Sequence, residues 1–429
     1  MYKATESGDN LKTVDAGKIQ LDNDATTYDN LNAAITAASS GSHIITVGAG
    51  NYTGTGNVGV TINQGFSNLT IKADEGATVI FDAENKDTPI LTINSGNTVT
   101  LQGLTFENVN RSTTVMYGAL INYGALTVDN CTFLNNKINN PKWGNNGGAA
   151  IFSKGATSIT ITDSNFINNT AQWIGSTAAV SIWGTTTGVS ISNSYFENNT
   201  GRFGGAVEIE GLNQPNAPLV NNCIFISNYA YIGGAINLND GTSNALIVNS
   251  TFYNNTVSGP AGSNTTCSAG GAICAGYNVP CLTNVSNCIF DSNKVINDVE
   301  HGAGGAIYLA DMTSGEITNS AFNNNSAVLG GAVSIGTDNI YNAKLSIENS
   351  TFTNNYASTE GGAVKVYTSI KGNITNTTFE NNTANFAGAL INVGDLNISS
   401  SDFIKNNATQ AGAIYTAGNA NISDFDFIN

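Results

Sequence analysis

Phenylalanine recurs at positions 106, 133, 166, 196, 225, 252, 290, 322, 352, 379 and 403, in steps of 24 to 38 residues. Around it lies a fixed pattern. Ser194-Tyr195-Phe196-Glu197-Asn198-Asn199 leads to Gly204-Gly205-Ala206-Val207, and Ser350-Thr351-Phe352-Thr353-Asn354-Asn355 leads to Gly361-Gly362-Ala363-Val364. A period near thirty residues with variable insertions specifies stacked units, each too thin to hold a core alone. The 429 residues therefore need not divide into the two or three domains that length suggests, because a solenoid grows by adding coils.

One repeat shows how a coil is built. Val189-Ser190-Ile191 alternates apolar and polar as a short strand does, Asn193 interrupts, and Ser194-Tyr195-Phe196 resumes with Ser194 and Phe196 on one face. Asn198-Asn199 turns the chain. Gly204-Gly205 then leads into Ala206-Val207-Glu208-Ile209, where Val207 and Ile209 point one way and Glu208 and Glu210 the other. Three short strands per repeat close into a flattened coil, and stacking at about 4.8 Å gives a rod of roughly 55 Å. The Phe column is expected inside. The position three before each Phe (Asn130, Asp163, Asn193, Asn222, Asn249, Asn287, Asn319, Asn349 and Asn376) suits a left-handed corner, and its stacked amides suit a hydrogen-bond ladder. Gly-Gly-Ala places small residues where neighbouring coils approach.

The first hundred residues follow a looser pattern. Asp29 to Ala38 reads as an amphipathic helix with Leu31, Ala34, Ile35 and Ala38 on one face, suited to covering the open N-terminal coil. The expected architecture is all-β: one right-handed parallel β-helix of about 12 coils spanning 43–429, preceded by a lead segment and capping helix over 1–42.

The paired Phe-x-x-Asn and Gly-Gly-Ala motifs resemble the passenger repeats of chlamydial polymorphic outer-membrane proteins and the adhesin-like surface proteins of methanogenic archaea. The helix followed by Ile44-Ile45-Thr46-Val47-Gly48-Ala49-Gly50-Asn51-Tyr52-Thr53 is similar to the opening of pectin-lyase-type β-helices. The resemblance covers residues 28 to 429 and implies a cell-surface adhesin, attaching to cells, surface polysaccharide or a protein of another cell. It does not extend to the outer-membrane barrel in which the chlamydial proteins end.

Charge sets limits. With 31 acids, 15 bases and a net charge of −16, the chain lacks the clustered Lys and Arg that nucleic acid requires. An anionic membrane surface is disfavoured on the same ground, and no apolar run reaches the ~18 residues of a spanning helix. The polar start reads as no signal peptide, and Asp426-Phe427-Ile428-Asn429 falls where the next Gly-Gly-Ala strand is due. The chain thus reads as a fragment of a longer secreted protein. Sequons such as Asn51-Tyr52-Thr53 and Asn349-Ser350-Thr351 agree with an exterior address.

Two candidate sites emerge. The alternative of a polysaccharide lyase or glycoside hydrolase would use Glu208 and Glu210, about 6.7 Å apart by strand rise, with Arg202 beside them. Neighbouring coils bring only Asn237, Asn239, Ser181 and Trp183 to those places, so no acid cluster builds up and catalysis is the weaker reading. Aromatics make the second site. Trp143, Trp173, Phe203 and Tyr231 occupy one loop in successive coils, with Trp183 pointing outward from the following strand, and such a stripe suits sugar rings or a protein partner. The bland counterpart is rings that pack over the loops of a passive spacer.

Cys131, Cys223 and Cys288 replace the serine two before Phe and are expected buried. Cys267, Cys274, Cys281 and Cys288 recur every seven residues in the longest repeat, which disulfides would staple in an oxidising compartment. Zinc-knuckle spacing is missing. His43 and His301 stand alone, and Asp22-Asn23-Asp24 offers calcium only a partial loop, better read as a polar turn. No cofactor is expected.

Overall fold

The computed structural model describes residues 13–112, 117–139, 147–171, 178–184, 188–211, 217–239, 244–259, 268–276, 282–296, 302–310, 313–336, 343–368 and 370–428. Three long sheets of 16, 14 and 13 strands run the length of the molecule. All their pairings are parallel except those of the first two strands, which add antiparallel at the N-terminal edge. The protein is an all-β, right-handed parallel β-solenoid. Twelve steps between the thirteen strands of the third sheet span roughly 58 Å at ~4.8 Å each.

A coil follows the strand breaks read in the repeat. Val189–Ser192 lies in the first sheet, Tyr195–Glu197 in the second and Val207–Glu210 in the third. A fourth short ladder, not foreseen from the sequence, runs beside them in pieces such as Tyr229–Ala230, Thr256–Ser258 and Ser326–Leu329. It follows the second Asn of each repeat.

Corners explain the first asparagines. Asn130, Asn193, Asn249, Asn319 and Asn376 all have φ near +50°, between 49° and 52°. The αL region is disfavoured for residues with a bulky Cβ substituent and tolerated by Asn and Asp. Asp163 takes the same corner at φ 50°. Within the coil, Phe81 to Phe403 stack ring on ring, with centroids 4.6 to 5.7 Å apart. Twelve phenylalanines thus form one internal column, each ring burying apolar surface worth about 2–3 kcal/mol.

The amide ladder sits elsewhere than expected. At the corner position only scattered pairs form, such as Asn222 Nδ2 to Asn193 Oδ1 at 2.8 Å. The continuous ladder belongs to the second Asn after Phe: Asn136, Asn169, Asn199, Asn228, Asn255, Asn293, Asn325, Asn355, Asn382 and Asn406. Asn228 is representative. Its Nδ2 donates to Phe196 O of the preceding coil and to Asn255 Oδ1 of the next, both at 3.0 Å. Its Oδ1 accepts from the backbone N of Asn199 at 3.1 Å and from Asn199 Nδ2 at 3.0 Å. Both amide hydrogens and both oxygen lone pairs are used, which is why a side chain with no exposure is tolerated there.

The Gly-Gly pair has two separate causes. The first glycine is left-handed (Gly204 φ 67°, Gly233 φ 62°, Gly361 φ 64°), and a Cβ on Gly204 would lie 2.1 Å from Val207 O. The chain doubles back onto the strand it is about to enter. The second glycine faces the next coil: a Cβ on Gly234 would lie 2.0 Å from Gly271 O. No side chain fits either place.

At the N-terminal end Leu31–Ala37 is helical, with Asn30 capping it through Ala33 N at 2.9 Å. Leu31, Ala34, Ile35 and Ala38 are buried, and the helix packs on the first strands of the solenoid. Asp22 forms a turn: its carboxylate accepts from Ile44 N at 2.8 Å and meets His43 Nδ1 at 2.7 Å. His43 is therefore not alone, contrary to the sequence expectation. Asp24 Oδ1 accepts from Ala25 N, so both carboxylates of Asp22-Asn23-Asp24 already serve the turn. Among the described residues no group of three His, Cys, Asp or Glu gathers to hold a metal.

Candidate functional site

The third sheet carries the acidic pair. Its strands place alternate residues inward, so the outward column reads Ser181, Glu208, Asn237, Cys274, Tyr308, Ser334 and Lys365 in register. Sequence reasoning put Glu208 on the face opposite Val207 and Ile209. It does point outward, yet it has no exposure, and every residue of that column is at most 7% exposed. The face is covered. Phe203, Ile232, Ala269, Ala303 and Leu329 bridge from coil to coil just before the glycines. This column packs with Cys274, Tyr308 and Ala310 in a second apolar cluster. The doubling-back that demands the first glycine is what folds this cover over the sheet.

Beneath it Glu208 Oε2 accepts from Ser181 Oγ at 3.1 Å. Glu210, at the end of the strand, is half-buried. The two glutamates do not share a cleft, because one lies under the cover and the other at its margin. Arg202 is half-buried with its guanidinium 4.7 Å from the centre of the Phe203 ring, and burial lowers its pKa from the ordinary value. Arg111, the other arginine, is 5% exposed beside Asp87, Nε to Oδ1 3.4 Å, a structural position.

The aromatic stripe is only partly brought together. Trp143 and Trp173 lie outside the described residues. Trp183 is half-buried at the end of its strand, with Lys154 Nζ 4.6 Å from its ring centre. Phe203 pairs in register with Ile232, not Tyr231. Tyr231 sits one place earlier, its backbone N donating to Arg202 O at 3.0 Å. Phe203 packs against the cover cluster, so that ring serves the fold as well as the surface.

Cys131, Cys223 and Cys288 are buried free thiols in the serine column. The Cys131 thiol donates to Leu101 O and Asp129 O, at 3.4 and 3.3 Å. Burial pushes the three thiols up to about 12, 11 and 12. Cys288 thus does not staple the long repeat. Cys274 is buried under the cover, while Cys267, Cys281 and His301 lie outside the described residues.

The first sheet presents the opposite picture. Its outward positions from residue 282 onward are half-buried or exposed and line a groove of about 950 Å³, including Ser314, Glu316, Lys344, Lys371, Asn373 and Asp395. Sequence reasoning overlooked this surface, since it contains neither an aromatic stripe nor an acid pair. The signal was nonetheless present: two lysines at equivalent places in consecutive repeats of an acidic chain.

Residues 349–366 match the Chlamydia polymorphic membrane protein (Chlamydia_PMP) repeat. That segment is similar to a repeat of that family. The matched segment holds Phe352, the ladder residue Asn355, and Gly361-Gly362-Ala363-Val364, so the motif is the corner, ladder and doubling-back of a single coil. No curated protein matches the sequence. Similar solved structures include the A-modules of two mannuronan C-5 epimerases of Azotobacter vinelandii. The AlgE4 module is 9% identical, with 85% of this chain and 88% of that chain covered and a TM-score of 0.30. The AlgE6 module is 10% identical over 84% of this chain and 90% of that chain, at a TM-score of 0.31.

Proposed function

We propose that this protein is an extracellular, adhesin-like cell-surface protein: a rigid β-helical rod that attaches to cells or their glycans through its side faces. The observation that carries the reading is the polymorphic membrane protein repeat at 349–366, set in an unbroken stack of coils of the same design. A stack held by a buried amide ladder and a phenylalanine column is stiff along its axis, which suits display away from a surface. Trp143, Trp173, Trp183, Phe203 and Tyr231 are the aromatic side chains proposed to meet a ligand, with Arg202 and Lys154 beside them. The reading needs no cofactor and no insertion into a membrane; no helix among the described residues is long and apolar enough to cross one.

The enzymatic alternative loses its main support with Glu208. A general acid or nucleophile must reach the reacting atom within about 3 Å, and this carboxylate lies under the cover with Ser181. Beads coated with the full chain, presented to cells and to a panel of surface polysaccharides, separate the readings. Adhesion of the beads with no new polysaccharide chain ends is the expected outcome. New chain ends would establish an enzyme, and beads that adhere to nothing would leave a passive spacer.

A further inference from the structure

The outward face of the first sheet has one electrostatic anomaly. Lys344 and Lys371 sit directly opposite each other on adjacent strands, in register. Like charges so placed, about 4.8 Å apart along the stack, destabilise a sheet. Among the described strand pairings this is the one place where two basic residues face each other, in a chain with only 15 bases and a net charge of −16. Both side chains are exposed. Among the described residues neither ammonium makes a hydrogen bond or an ion pair within 4.0 Å. The neighbouring acid Asp395, in register with Lys371, is engaged by Asn419 Nδ2 at 2.8 Å.

The lysines lie on the wall of the groove of about 950 Å³, within the size range of ligand sites. Around them the face is a lattice of amides and hydroxyls repeated once per coil. Ser346, Asn373 and Asn397 form one column beyond Glu316, and Asn397 Nδ2 donates to Asn373 Oδ1 at 3.1 Å. A peptide ligand added as a strand would call for a free sheet edge, and here the strand of each lysine is already paired on both sides. A chain of hydroxyl-rich rings carrying negative groups would satisfy both the lattice and the two ammoniums.

We infer that the groove over Lys344 and Lys371 binds an acidic glycan, carboxylated or sulfated, along the outer face of the first sheet. The lysines neutralise its anionic groups, and Ser346, Asn373 and Asn397 hydrogen-bond its hydroxyls. Glu316 and Asp395 bound the site and favour ligands whose charges are spaced rather than continuous. This inference rests on the reading that the rod is an adhesive surface protein, and it names the ligand class and the place.

The test is retention of the full chain on immobilised polygalacturonate, dextran sulfate, neutral dextran and polyglutamate at low and at 0.5 M salt, roughly where the Debye length falls below 5 Å. Expected is salt-sensitive retention on at least one acidic glycan, which names the anionic group. It should fall at least tenfold in Lys344→Gln/Lys371→Gln and less than twofold in Lys72→Gln/Lys405→Gln, which removes the same charge elsewhere. Equal losses in the two double variants, or equal retention on polyglutamate, would overturn the inference. So would failure to bind either acidic glycan. In that case beads that still adhere to cells would leave the adhesin reading standing, and beads that adhere to nothing would remove both.

Discussion

The outer faces of the third and first sheets are built alike and end differently. Both alternate inward apolar residues with outward polar ones over consecutive coils. On the third sheet Glu208, Asn237, Ser334 and Lys365 are sealed, at 0 to 7% exposure, under the column from Phe203 to Leu329. On the first sheet Glu316, Asn373 and Asn397 stand open to solvent. The difference teaches that strand alternation assigns a side but not an environment. A glycine-permitted reversal decides which outward residues can meet a ligand.

The largest effects should come from the wall both faces share. Asn228→Ala removes four hydrogen bonds and leaves the buried backbone N–H of Asn199 without its acceptor. A loss of about 4 kcal/mol in denaturant unfolding is expected, against about 0.5 kcal/mol or less for the exposed Asn373→Ala. Equal losses would mean that the ladder is not buried. Next, Gly234→Ala drives a methyl toward Gly271 O, and since both sides are backbone the coils must part. About 3 kcal/mol is expected, together with increased protease cleavage in the cover segment.

A smaller effect follows from the thiols. Native pKa values of about 12, 11 and 12 for Cys131, Cys223 and Cys288 lie above the ordinary 9.0. The native state thus holds these protons longer than the unfolded chain. Their contribution is fully present below pH 9 and is lost as pH rises from about 9 toward 11–12. At pH 10 the loss is on the order of 1 kcal/mol per thiol. Replacing all three by serine, the commonest residue of the column, should flatten the fall in stability between pH 8 and pH 10 relative to the parent. An unchanged slope would mean that the thiols are accessible to base. Smallest of all, Lys154→Met should leave stability within about 0.5 kcal/mol while removing the ammonium from Trp183, read as a shift in tryptophan emission.

Much of the fold was legible because the repeat writes each role at a fixed place. Phe marks the internal column, Asn the corner, Gly-Gly the close approach, and the capping helix announces itself by Leu31, Ala34 and Ile35. The ladder was assigned to the wrong asparagine because both Asn positions recur. The distinction lay in tolerance: the corner three before Phe accepts Asp163 and Ser400, whereas the place three after Phe is Asn in every coil from Asn136 to Asn406. Only a side chain using two donors and two acceptors can fill it. The burial of Glu208 was not legible, since it depends on a column of Phe203, Ile232, Ala269, Ala303 and Leu329 that no single residue type marks. Lys344 and Lys371, each eight residues before a column Phe, were legible as a pair, whereas the groove they line was not, because a concavity depends on the folded faces.

The most direct measurement of the contrast between a sealed and an open outer face is maleimide labelling of Ser334→Cys and Asn373→Cys in the native protein, resolved by peptide mass. Both positions point outward from their sheets, at 0% exposure for Ser334 and in the open for Asn373. Asn373→Cys is expected to label at the rate of a free thiol and Ser334→Cys at least a hundredfold more slowly until the protein is unfolded. Comparable rates at the two sites would contradict that contrast, returning Glu208 to the solvent and the catalytic alternative to consideration.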